Sequence, residues 1–255
     1  MDRIVYKKYT IKLYKQKNNK PDGLPLHGGD VRRTERVFYM YLAEQLKKKS
    51  VAEYLLYMWQ VEDTLRVFDL DVERMAREYI PQFGLDAEKS EALRGWYESL
   101  IEMMREEGVT ENGHLQVNKN IIILLNDLHV QLLKSSKHPF YSAAYYKALP
   151  FIVELRAKQK KKKTLSALKG ISPVEGETMR DVRGGDHADG LSDDGEDIVK
   201  GEIETCFDAL YGVMLLRAQK KEVSVETATA IDHIAKFVGM LSDYYRKDKE
   251  GELEV

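Results

Sequence analysis

Residues 50–68, SVAEYLLYMWQVEDTLRVF, constrain the fold more than any other stretch. A helix advances about 100° per residue. On that wheel Val51, Tyr54, Met58, Val61, Leu65 and Phe68 fill one apolar arc, and Ala52, Leu56, Trp59 and Val67 fill a second. Glu53, Gln60 and Thr64 form a polar line on one side. Glu62 and Arg66 form another, at a spacing that permits an ion pair. A surface helix needs one apolar stripe, so two arcs predict an inner helix with neighbours on both sides. Ser50 and Glu53 stand in S-x-x-E spacing, a capping box at the helix start. Asp63 breaks the pattern, because it falls inside the Trp59 arc. A lone buried carboxylate is costly, so Asp63 is expected to pair with an Arg or Lys from a neighbouring helix or with a tyrosine hydroxyl. Failing that, it is a ligand-binding group.

The rest of the chain repeats helical patterning. Asp71 suits the N-cap of a short helix stopped by Pro81, and Asp86 caps a long one ending near Gly108. That long helix has Leu93, Trp96, Tyr97, Leu100, Ile101, Met103 and Met104 at helical spacing. Asn112-Gly113 marks a turn. Residues 116–135 follow as a helix with Val117, Ile121, Leu124, Leu128 and Leu132 inward, although its β-branched run leaves a strand reading open. Pro139 suits a first helical position. Pro150 removes a backbone donor, so a kink or break is expected near Leu149, with a second segment running to Lys163. Ile203, Phe207, Leu210, Met214 and Leu215 point inward from a later helix, and Ser224 caps the last one. Gly212 and Gly239 lie inside these helices as close helix–helix contacts or as tolerated small residues. The charged residues 249–255 are expected to fray.

The fold expected is all-α: a single antiparallel bundle of about seven helices over residues 40–250, joined mostly by short loops. Two segments fall outside it. Residues 1–36 carry ten basic against four acidic residues, and their composition predicts a disordered extension. Alternation in VYKKYTIKLYK admits a short edge strand. A nucleic-acid- or membrane-binding arm is the sharper alternative, and Met40 is a candidate natural start. Residues 164–197, rich in Gly and Asp, read as a disordered linker. The whole chain carries −2, so the remainder after residue 36 carries −8, which weighs against nucleic acid as the main partner.

Little in the sequence points to chemistry. The one E-x-x-H, Glu111 to His114, sits in the glycine turn, and no ligand spacing for a metal recurs, so neither metal nor cofactor is expected. Phosphate-binding glycine loops and nucleophile elbows are missing. Cys206, the one cysteine, falls on a core face. No apolar run is long enough for a membrane span and the N-terminus has no signal-peptide core, so the cytoplasm is expected. Fifteen tyrosines, including Tyr141, Tyr145 and Tyr146, fit a homo-oligomer or a protein-partner surface. The candidate ligand or interface residues are Trp59, Asp63, Tyr141, Tyr145 and Tyr146. The leading expectation is a non-catalytic interaction or scaffold module. The alternative is a small-molecule-binding or catalytic pocket near Trp59 and Asp63, and nucleic-acid association through the extension is third.

Four stretches read together carry a resemblance: AEYLLYMWQVED, REEGVTENGHLQVNKNIIILLNDLHVQLLKS, FYSAAYYKALPFIVELR and GEIETCFDALYGVMLLRAQKKEVS. They resemble a bacterial family of unknown function, number 4924 in the domain-of-unknown-function series. The resemblance covers residues 40–250 apart from the linker. It implies a compact helical cytoplasmic protein and brings no site residues with it. The extension before Met40 and the length of the linker depart from the family pattern.

Overall fold

In a computed structural model the described residues are 43, 45–169 and 201–254, with residues 162–169 described by their backbone alone. The expected extension, its edge strand and the start at Met40 lie outside them, as does the linker beyond residue 169. The described residues form an antiparallel bundle without strands. Its helices are α1 (Val51–Val67), α2 (Val72–Glu78), α3 (Ala87–Glu106), α4 (Gln116–Lys134), α5 (Pro139–Lys169), α6 (Glu202–Ala218) and α7 (Val225–Lys249), with a 3-10 turn at Ile80–Phe83.

The polar ends follow the sequence signals. Ser50, Asp71, Asp86 and Ser224 each accept a backbone N–H from the first turn of the helix they precede. The Ser50 half of the capping box forms, and the Ser50 N–H donates to the Leu46 carbonyl, 2.6 Å away. Gly108 takes positive φ, 66°, one residue past the C-cap of α3, the left-handed stop that glycine supplies without strain.

α1 is the inner helix its two arcs require. Val51, Tyr54, Met58, Val61, Leu65 and Phe68 are all buried. Ala52 and Trp59 of the second arc are buried too, with Leu56 and Val67 half-buried. Helices α3, α6 and α7 lie against it. Helix α7 is equally central and touches α1, α4, α5 and α6. Its Ile234, Phe237 and Leu241 are fully buried.

Several expectations are corrected. Helix α5 runs through Pro150 without a break and extends to Lys169. Both Pro150 and Tyr146 are exposed, so water can serve the Tyr146 carbonyl that has lost its donor. On α4 the inward stripe is rotated: Asn118, Ile121, Ile122, Leu125, Leu128, His129 and Leu132 are buried, whereas Val117 and Leu124 are exposed. Two polar residues take inward places because Glu62 and Tyr141 wait there to bond them. On α6, Tyr211 and Val213 are buried while Leu210, Met214 and Leu215 are half-buried. A Cβ at Gly212 or Gly239 would meet no atom within 4 Å, so neither glycine marks a close helix contact. The tail is held, since Leu253 packs against the core and His138 Nε2 donates to the Glu254 carbonyl at 3.0 Å.

Candidate functional site

A polar cluster is built on α1 around the neighbour of the acid that the sequence singled out. Glu62, not Asp63, is the fully buried carboxylate. Its Oε1 accepts the Leu115 backbone N–H at 3.1 Å and the Asn118 amide at 2.7 Å. Its Oε2 accepts from His114 Nδ1 at 2.6 Å. Leu115 is the N-cap residue of α4 and cannot cap with its own side chain. Glu62 supplies the missing acceptor from across the bundle, and Glu107 takes the Gln116 N–H at 2.6 Å. Two carboxylates at a helix N-terminus also oppose its positive dipole end.

Asp63 is a third exposed and paired twice. Arg66 Nη1 donates to it at 2.8 Å and the Tyr211 hydroxyl at 2.7 Å. The expected Glu62–Arg66 pair is therefore replaced by Asp63–Arg66. The other guanidinium nitrogen, Nη2, donates to the Val109 and Gly113 carbonyls at 2.9 and 2.6 Å. Arg66 and Glu62 thus pin the loop between α3 and α4 to α1 at both of its ends.

Trp59 closes the cluster. His114 stacks on it at 4.0 Å with ring planes 9° apart, and Phe207 and Tyr211 of α6 meet it edge-on. The Trp59 indole nitrogen and the Asn118 carbonyl oxygen are buried without a hydrogen-bond partner among the described residues. His114 has its Nδ1 committed to Glu62 and its side chain 22% exposed. A carboxylate in this place fixes the tautomer and orients the other ring nitrogen, the arrangement used for proton transfer and metal ligation. Among the described residues, no group of three or more His, Cys, Asp or Glu is placed to hold a metal ion.

Tyr141 and Tyr145 belong to a second cluster. The Tyr141 hydroxyl shares a 2.6 Å hydrogen bond with His129 Nδ1, and Tyr145 and Phe237 pack edge-on against the same imidazole. The Tyr145 hydroxyl donates to Glu202 at 2.8 Å. Burial holds His129 below its ordinary pKa and raises both phenols, with Glu202 adding to the rise at Tyr145. Burial pushes the Cys206 thiol up to about 12, the property of an inert core cysteine. Tyr146 does not join the cluster's interior, since 63% of it is exposed. Helix α6 serves both clusters, presenting Phe207 and Tyr211 to Trp59 and Glu202 to Tyr145.

A separate cleft lies away from Trp59 and Asp63. It has a volume of about 290 Å³ and lies where α2 begins beside α3, with Asp69, Asp71, Glu98, Glu102 and Arg105 in its lining. Glu62 and His114 carried faint sequence signals. The E-x-x-H pattern includes His114, but the acid bonded to it comes from α1 rather than from Glu111.

No helix among the described residues is long and apolar enough to cross a membrane. Neither the curated proteins nor the solved structures contain a match to this chain. A family model does match, over residues 40–170 and 188–252. The chain belongs to the family described as Domain of unknown function (DUF4924).

Proposed function

We propose that the protein is a non-catalytic, cytoplasmic helical module whose work is to bind protein, either another copy of itself or a different chain. The observation behind this reading is a set of large apolar side chains left outside on two adjacent helices. Ile123 and Val130 of α4 are 53% and 47% exposed, and Phe140, Tyr146 and Val153 of α5 are 82%, 63% and 55% exposed. Scattered apolar surface is ordinary, but concentration on two packed helices is the mark of an interaction face. Native mass spectrometry of the full chain, alone and after affinity capture, tests the reading. Assembly that Val153→Ser abolishes without loss of helicity supports it; a chain that neither self-associates nor retains any partner sensitive to Val153 rejects it.

The His114–Glu62 pair favours a second reading, a small-molecule-binding or catalytic site beside Trp59. The imidazole is oriented, stacked and in reach of solvent. Ligands would quench Trp59 fluorescence in the native chain and not in His114→Gln. A screen in which every responding compound binds both proteins equally rejects this site. Nucleic-acid association through residues 1–36 predicts salt-sensitive binding that vanishes on deleting residues 1–39, and binding unchanged by the deletion rejects the arm.

A further inference from the structure

Helix α5 has two apolar stripes, and the described residues bury only one. Tyr141, Tyr145, Ala148 and Ile152 are buried in the bundle, with Leu155 half-buried. On the opposite side, about 180° around the helix, Ala143, Tyr146, Pro150, Val153 and Ala157 are exposed. Their spacing alternates three and four residues, the seam of a helix that packs along another helix. A helix with two apolar stripes needs neighbours on both sides.

The seam also reads alike in both directions from Pro150. A small residue, Ala143 or Ala157, stands at each end, a large one, Tyr146 or Val153, stands next to it, and proline is at the centre. The flanking charges are opposite in sign and nearly equidistant from that centre. Lys147 precedes it and Glu154 follows it, both exposed. Glu154 pairs on its own helix with Lys158 at 2.6 Å, whereas Lys147 makes no ion pair among the described residues. A face symmetric about its own middle, with opposite charges to either side, is complementary to itself under a two-fold axis.

We propose that two copies of the chain associate through the outward faces of α5, antiparallel and centred on Pro150. Tyr146 of each copy packs on Val153 of the other, the alanines close the ends, and Lys147 faces Glu154 across the seam on both sides of the axis. This rests on the protein-binding reading and names its partner as a second copy of this chain.

Charge exchange tests the register on the full chain, with mass measured by light scattering across a dilution series. The native chain is expected to dimerise. Lys147→Glu sets glutamate against glutamate twice, and Glu154→Lys sets lysine against lysine twice, so each alone should dimerise at least about tenfold more weakly. An equimolar mixture of the two should recover the dimer, since both cross-seam pairs are then opposite in sign. Both positions are exposed, and circular dichroism checks that the helices are intact. A monomeric native chain at the highest concentration reached overturns the proposal, as do single variants that dimerise as tightly as the native chain or a mixture that shows no recovery. If the native chain is monomeric but Val153→Glu abolishes capture of a different protein, the second copy is wrong while the protein-binding reading stands.

Discussion

Helices α1 and α5 present the same signature, two apolar stripes, and meet different fates. Both arcs of α1 are sunk in the bundle, against α3, α6 and α7. Only one stripe of α5 is sunk, and Tyr146 and Val153 on the other remain in solvent. The wheel therefore counts the faces that want a partner without saying whether the partner lies in the same chain. Carboxylates show the same distinction at finer scale. Glu62 and Asp63 are adjacent on α1, yet one is fully buried with three donors and the other is partly solvated.

Substitution on both arcs of α1 is the strongest way to break the comparison. Trp59→Ala should cost about 4 kcal/mol and Leu65→Ala, on the opposite arc, about 3 kcal/mol in urea unfolding. A small loss at either position would mean that only one arc of α1 is packed. On α5 neighbouring residues should diverge. Ile152→Ala should cost roughly 3 kcal/mol, and Val153→Ala less than about 0.5 kcal/mol when measured dilute enough to keep the chain monomeric. Equal losses would place both stripes inside the bundle.

The carboxylates come next. Glu62→Ala leaves the Leu115 N–H, the Asn118 amide and the His114 imidazole without their acceptor, and should cost about 3 kcal/mol. Asp63→Asn keeps a polar group in a partly solvated place and should cost under about 1 kcal/mol. The reverse order would restore Asp63 as the critical acid. The smallest effect expected is a pH dependence at His129. Its folded pKa lies below the ordinary 6.5, so the unfolded chain binds the proton more readily. That stability is present above pH 6.5 and is lost as pH falls through the folded value. Thermal melts of the native chain and His129→Gln between pH 7 and 5 should therefore converge on acidification, and parallel curves would rule the contribution out.

Much of the fold was legible because it follows from local chemistry. Ser50, Asp71, Asp86 and Ser224 cap their helices with side chains a few atoms from the backbone they serve. The site was less legible because its contacts join residues far apart in the chain. Asp63 did find a tyrosine hydroxyl, Tyr211, but its guanidinium comes from Arg66 on its own helix rather than from a neighbouring one. Glu62 lay on what the wheel gave as a polar line, and nothing near it announced His114, Leu115 and Asn118 as its partners. Tyr141, Tyr145 and Tyr146 are close in sequence, but Tyr146 lies on the outward side of α5.

Helix periodicity, caps, the glycine stop after α3 and the two-sided character of α1 needed only the sequence, because each is settled within one or two turns of backbone. Which way α4 rotates, whether α5 breaks at Pro150 and which acid is buried were decided by the tertiary structure. A buried polar group is stable only where its partners stand, and those partners arrive from other helices. The two stripes of α5 lie between these cases: the sequence carries both, and the packed bundle shows which one the described residues leave exposed.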